Sequence, residues 1–298
     1  MKPTISVITL THNKLPVTRK CLTSLLAGTG ASWELIVVDN GSTDGTREWL
    51  GEFASTAALA GVSVTVIANQ ENVGCSTARN QGGARASGGR LLFMDNDVAL
   101  RSGDWLVALD TACRKLPQAA VVGPKLVYPF APHDIQCAGV GVSANGRILF
   151  RGRGHGRTEP DFNVQREVQC LISACFMVDR TAFEAVGGFD DAYNPVEFED
   201  FDLCYKIKAA GGRCYYVPEV EMYHFESVTT QGTAALPNTY LIIRNGLLFK
   251  ARWKHLFQDE NGPADAACKW RQVPIRPFAE LGELPLVTPS GPKAAGSS

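Results

Sequence analysis

The sequence predicts an α/β protein: one Rossmann-like, mostly parallel central sheet with helices on both faces, a smaller β/α region after it, and a helix near the C-terminus. Three observations carry this reading. Short, continuous apolar runs alternate with helical patterns at the spacing of βα units through the first half of the chain. The runs are apolar at successive positions rather than at every second one, as strands buried on both faces are. Polar side chains, most of them acidic, gather just past the carboxyl ends of these runs, where open α/β sheets form their ligand crevice.

The elements follow in order. Residues 5–10 read as a buried strand and 15–27 as a helix, whose first turn tolerates Pro16 because its N–H groups have no intrahelical partner. Residues 35–38 are a second strand, ended by Asp39-Asn-Gly-Ser-Thr-Asp44, and 46–60 a helix. Then come a strand at 62–68, a helix at 76–86 and a strand at 90–94 that runs straight into Asp95-Asn-Asp97. A helix at 105–116 and a strand at 120–127 close the regular half. Beyond it, Asn145-Gly146 is a strong turn signal for a hairpin within 137–157. A strand at 168–178, a short helix at 181–186, a helix at 201–210, a strand at 213–217 and an apolar helix at 240–257 complete the pattern.

The chain has 298 residues, with 29 Lys and Arg against 30 Asp and Glu, for a formal charge of −1. That balance excludes a protein that coats nucleic acid, which needs a basic excess to displace counterions. The hydrophobic content of 45 %, spread from end to end, excludes disorder for most of the chain and supplies a sizeable core. No stretch approaches the roughly 20 apolar residues of a membrane span, and the run at 5–10 is too short for a secretory signal. Nine cysteines, with no pair at two-residue spacing, read as small buried hydrophobes kept reduced. The expected setting is the cytoplasm.

Acidic groups are the sharpest features. Asp95 and Asp97, one residue apart at a strand end, can present hard oxygen ligands to Mg²⁺ or Mn²⁺ while leaving positions for phosphate oxygens. The same tripeptide elsewhere closes turns and caps helices. Asp39, Thr11 and His12 lie at the same predicted edge. Glu197, Glu199, Asp200 and Asp202 form a second cluster, and such crowding raises at least one pKa unless a cation offsets it. Acids also suit the first turn of the helix that follows, which is the simpler reading for Asp202. His224 is either a ligand or an ordinary packed histidine. Arg79 opens a helix, where it meets a phosphate or a base, or stays solvated.

Taken in order, these segments resemble the family 2 glycosyltransferases of the GT-A fold over about residues 4–255. The matching residues are Ser6-Val-Ile-Thr-Leu-Thr-His-Asn-Lys14, Val37-Val-Asp-Asn-Gly-Ser-Thr-Asp44, Asn72-Val-Gly through Ala78-Arg-Asn80 and Asp95-Asn-Asp97. Gly187-Gly-Phe-Asp190, Glu199-Asp200-Phe-Asp-Leu203 and His224 continue the series. The chain is most similar to the rhamnosyltransferase-like branch, which shares the Arg-Gly-x-Gly region and the Gly-Gly-Phe-Asp turn.

The resemblance implies transfer of a single sugar from a nucleoside-diphosphate sugar, UDP- or dTDP-linked, to an acceptor hydroxyl, with inversion, in cell-surface glycan or glycoconjugate synthesis. It implies Mn²⁺ or Mg²⁺ at Asp97 and His224, with Asp95 nearby, stabilising the leaving diphosphate. Asp39 matches the carboxylate that accepts a hydrogen bond from the base, with Thr11 at the same wall and Arg79 on the nucleotide side; Asp95 also suits the ribose. Asp200 matches the general base. Glu199, Asp190 and Arg153 are expected as acceptor-side or supporting residues. The acceptor is a glycan, a lipid-linked glycan or a peptide. Residues 1–258 then form the transferase domain, nucleotide-binding to about 130 and acceptor-binding from 131, and 259–298 a partly flexible extension.

Two departures matter. The Gln-x-x-Arg-Trp motif of processive synthases is broken, with Phe249 standing before Arg252-Trp253 in place of Gln, which favours single-sugar transfer. Ser173 stands where relatives often have Gly. The basic loop at 151–157 either meets an acceptor phosphate or is solvated. The helix at 240–257 either packs on the domain with its charges outward or makes peripheral contact with an anionic membrane at its inner face. Two rival readings remain: a nucleotidyltransferase, which would want a Gly-rich loop near the amino terminus, and a non-catalytic nucleotide-sugar-binding module, which has no need of Asp39, Asp95, Asp97 and Asp200 together.

Overall fold

A computed structural model describes residues 4–27, 30–226, 238–274 and 276–286. The regular half runs β1 (Ile5–Thr11), α1 (Leu15–Leu25), β2 (Trp33–Asn40), α2 (Thr46–Leu59), β3 (Ser63–Asn69), α3 (Cys75–Arg85) and β4 (Arg90–Asp95). It continues with β5 (Val98–Leu100), α4 (Trp105–Lys115) and β6 (Ala119–Val127). Then follow β7 (Ile135–Cys137), β8 (Val140–Val142), β9 (Ile148–Phe150), β10 (Arg166–Val168), β11 (Cys175–Asp179), α5 (Arg180–Ala185), α6 (Glu199–Ala209), β12 (Arg213–His224) and α7 (Asn238–Phe257).

The main sheet has the order β10-β12-β6-β11-β4-β1-β2-β3, with β5 added beside β12 and β7 beside β6. β1 pairs in parallel with β2 and β4, and β2 with β3. Leu35–Val38 of β2 and Leu92–Phe93 of β4 are fully buried, as the unbroken apolar runs require. α3 reaches this sheet through Gly82: a Cβ there would lie 2.4 Å from Ile8 Cγ2, so only glycine allows the helix this close.

Where the structure departs from the sequence pattern, polar partners or prolines explain it. The apolar run at 168–178 is two strands, not one. Between β10 and β11 the chain leaves the main sheet, and the Cys170 N–H donates to Val140 O at 3.2 Å. β11 then inserts antiparallel between β4 and β6. The final strand runs on to His224 because a register shift between Val217 and Glu221 absorbs Pro218, which has no N–H for the ladder. α6 starts at Glu199, two residues earlier than its apolar pattern, so the acidic cluster is its first turn.

The described part of the extension packs on the body. Phe278, Leu281 and Leu284 lie against Val17, Cys21, Tyr223 and Phe225; residues 287–298, the rest of the expected flexible tail, lie outside the described residues. Among the described residues no helix is long and apolar enough to cross a membrane.

Candidate active site

β4 delivers Asp95, and the tight connection to β5 delivers Asp97 two residues on. β12 pairs antiparallel with β5, placing His224 opposite Val98, and Phe225 N donates to Asp97 O at 3.0 Å. That pairing brings a residue 127 positions later in the chain to the strand end: His224 Nε2 lies 3.4 Å from Asp97 Oδ1. Its Nδ1 sits 3.2 Å from Gln136 Oε1, an acceptor, which orients the ring with Nε2 toward the carboxylate. Burial opposes protonation of His224, but Asp97, bonded to it, and Asp95 outweigh burial and raise its pKa.

One ligand atom from each of Asp95, Asp97 and His224 lies within 4.8 Å of the others. That span is about twice a metal–ligand distance of roughly 2.1 Å, and two carboxylates with one imidazole form a donor set suited to Mn²⁺ or Mg²⁺. The residues fit a divalent ion. Asn96, between the two acids, points the other way: its Nδ2 donates to Thr11 Oγ1 at 3.2 Å and Thr18 Oγ1 at 2.8 Å. The Thr11 hydroxyl is therefore engaged beneath the strand ends, 3.0 Å from Thr18 Oγ1 as well.

Arg79 is the cation beside Asp95. Its Nη2 donates to Asp95 Oδ1 at 2.8 Å and its Nη1 to Glu199 Oε1 at 2.6 Å. It is buried rather than solvated, with its guanidinium 5.4 Å from the Phe189 ring. Burial raises the pKa of Asp95, Arg79 pulls it back, and Asp97 pushes it up again. Net, it is raised.

Asp200 is buried beside this pair. Its Oδ2 accepts from Ser173 N at 3.1 Å and its Oδ1 from Phe201 N at 2.8 Å. Burial first, and the neighbouring Glu199 second, push its pKa well above the usual carboxylate range. A carboxylate so placed is a stronger proton acceptor than a solvated one. The loop before it is strained: Glu197 and Phe198 have φ of 86° and 71°, the left-handed region non-glycine residues avoid. Asn245 of α7 holds it, its Nδ2 donating to Tyr193 O, Val196 O and Glu197 O at 2.9, 2.9 and 2.8 Å.

The remaining candidates have structural company. Asp202 accepts from Tyr193 Oη at 3.0 Å and Trp253 Nε1 at 2.8 Å, and Asp190 from Arg252 Nη1 at 2.7 Å, so they fasten α7 to the first turn of α6 and to the 187–190 turn. Asp39 is at the expected edge, fully buried, accepting from Ser42 N at 3.1 Å and Arg47 Nε at 2.9 Å. Arg153 has the contacts of a support rather than of an acceptor site. Both its Nη atoms donate to Glu226, at 2.8 and 3.0 Å, and its guanidinium lies 3.8 Å from the Trp270 ring centre. The basic loop is not free either: Arg157 pairs with Glu221 at 3.5 Å. Gln136, Arg47 and Asn245 were not singled out from the sequence, because each is an ordinary polar residue until the fold supplies its partner.

A mostly parallel sheet whose carboxyl edge gathers acids, an imidazole and a buried arginine defines a sugar-transferring enzyme once known proteins are compared. Residues 6–187 match the model of glycosyl transferase family 2, and the chain belongs to that family. Asp39, Arg79, Asp95 and Asp97 lie inside the matched stretch; Glu199, Asp200 and His224 lie beyond it. Uncharacterized protein y4gI of Sinorhizobium fredii is 33 % identical over 266 residues, covering 86 % of this chain but only 28 % of that protein's length. An N-acetylglucosaminyl-diphospho-decaprenol L-rhamnosyltransferase of Mycobacterium tuberculosis is 29 % identical over 252 residues, covering 77 % of this chain and 78 % of that one.

Two solved structures share the fold. GalNAc-T7 with UDP, GalNAc and Mn²⁺ superposes with a TM-score of 0.67 at 18 % identity, covering 87 % of this chain and 49 % of that one. The mannosyltransferase PcManGT from Pyrobaculum calidifontis, in complex with GDP-Man and Mn²⁺, gives 0.57 at 19 %, covering 87 % and 72 %. The fold is GT-A, and the protein is a glycosyltransferase.

Proposed function

We propose that this chain transfers a single sugar, with inversion and with a divalent metal ion, from a UDP- or dTDP-sugar to an acceptor hydroxyl. The observation that carries the proposal is the convergence of Asp95, Asp97 and His224 within 4.8 Å beside the Arg79–Glu199 pair. Asp95, Asp97 and His224 would hold Mn²⁺ or Mg²⁺, which supplies Lewis acidity to a diphosphate leaving group. Asp200 takes the acceptor's proton as the acceptor oxygen bonds to the anomeric carbon and the bond from that carbon to the diphosphate oxygen breaks. Inversion follows from attack on the face away from the diphosphate. Arg79 fixes Asp95 and offsets Glu199, leaving Asp200 as the proton acceptor.

The acceptor we propose is a glycan on a lipid diphosphate, the class named in the mycobacterial relative. The test is incubation with UDP-, dTDP- and GDP-sugars plus Mn²⁺, reading nucleoside diphosphate release. Release with one UDP- or dTDP-sugar that EDTA abolishes supports the reading. Release untouched by EDTA removes the metal, and release from none of the sugars removes the transferase assignment to this site.

A further inference from the structure

α7 turns an apolar stripe outward. Tyr240, Ile243 and Leu247 are 55 %, 58 % and 63 % exposed, and Ile242 beside them is 46 % exposed. These are four of the nine large hydrophobic side chains exposed among the described residues, and they fall within eight positions; the others stand apart from one another. Ala251 extends the stripe, and Lys254 and His255 are exposed where it ends. The helix packs on the domain, and its inner face is fully used: Leu241, Asn245, Phe249 and Phe257 are buried, while its first half turns apolar side chains outward.

The helix that carries the stripe has a single sign of charge, with acids only on the elements packed against its flanks: Asp190 and Asp202 at Arg252, and Asp265 near Lys250. The 20 residues of α7 contain no Asp or Glu, against Arg244, Lys250, Arg252 and Lys254. Among the described residues only Arg252 of these is ion-paired, to Asp190 and Asp202. A second copy of this chain fits such a face badly, since a two-fold contact sets like charges opposite each other. An apolar stripe that ends at the exposed Lys254 and His255, on a helix without an acid, matches an anionic lipid surface instead.

We propose that the outer face of α7 docks on anionic phospholipid, with Tyr240, Ile243 and Leu247 entering the headgroup boundary and Lys254 meeting lipid phosphates. Because the inner face of the same helix holds the 193–197 loop through Asn245, docking sets the loop before Asp200 about one helix diameter, roughly 10 Å, from the lipid. The surface lies outside the transfer site and does not depend on the donor or the acceptor.

The test is sedimentation of the full chain with vesicles of phosphatidylcholine, with and without phosphatidylglycerol. Wild type is expected to pellet with the anionic vesicles and at least about tenfold less with neutral ones or in high salt. Leu247→Asp and Lys254→Glu should each lower binding about tenfold with melting temperature unchanged, while Leu59→Ser, at a still more exposed site on α2, leaves it intact. Equal binding to neutral vesicles, no effect of either α7 substitution, or a wild-type dimer that Leu247→Asp splits would each overturn the proposal.

Discussion

Arg79 and Glu199, 120 residues apart in the chain, meet at 2.6 Å with both side chains only 4 % exposed. The pair joins α3 to the first turn of α6, and through Asp95 it also reaches the carboxylates at the end of β4. Replacing Arg79 by Met would leave two acids facing each other without a cation. Breaking a buried pair from one side costs about 3–5 kcal/mol. Urea denaturation of Arg79→Met should show a loss of that size at neutral pH, and a loss under 1 kcal/mol would mean that water already solvates Glu199.

Asp200→Asn keeps the shape and the hydrogen bond from Ser173 N but removes the proton acceptor. Transfer should fall by roughly 10²–10⁴-fold, with nucleoside diphosphate affinity within about twofold of wild type. Turnover at the wild-type rate would assign the base elsewhere.

Asp97→Ala acts on the other half of the reaction. In the presence of Mn²⁺, calorimetry should show nucleoside diphosphate binding weakened by about tenfold or more; without Mn²⁺, wild type and variant should bind alike. Equal affinities with the metal present would sink the ligand assignment.

Glu197 gives a pH signature. Burial, and then the charge of Glu199, raise its pKa to about 7. Because the unfolded value lies near 4.5, the folded state binds the extra proton, and this residue's contribution to stability falls as pH rises from about 4.5 through 7. Glu197→Gln should therefore stabilise the protein at pH 8 by about 1–3 kcal/mol, allowing for partial exposure, and change little at pH 4.5. Thermal melts at the two pH values test it. A stabilisation independent of pH would point to packing instead.

The sheet from β1 to β4 and its edge acids were readable because continuous apolar runs and abrupt polar stops are local signals. The antiparallel β11 was not, since residues 168–178 are apolar whether the chain stays in one strand or leaves the sheet at Cys170. The start of α6, two residues before its apolar pattern, was hidden because Glu199 and Asp200 look like loop until Arg79 and Ser173 N answer them. Gln136 and Asn245 carry no local mark at all; their partners lie 88 and 48 to 52 residues away. For Arg153 the basic loop pattern suggested an open surface, and Glu226, with the ring of Trp270, closed it.

β11 has one further consequence. It supplies the ladders on both sides, pairing Cys175–Asp179 with β4 and Met177–Val178 with β6. A fragment ending near residue 130 would leave β6 with no strand beside it, since its other neighbours, β7 and β12, also come later in the chain. Recombination between relatives at that point would thus exchange an interior strand of the sheet along with the C-terminal half. Point changes that leave β11 in place disturb the sheet less than such a swap.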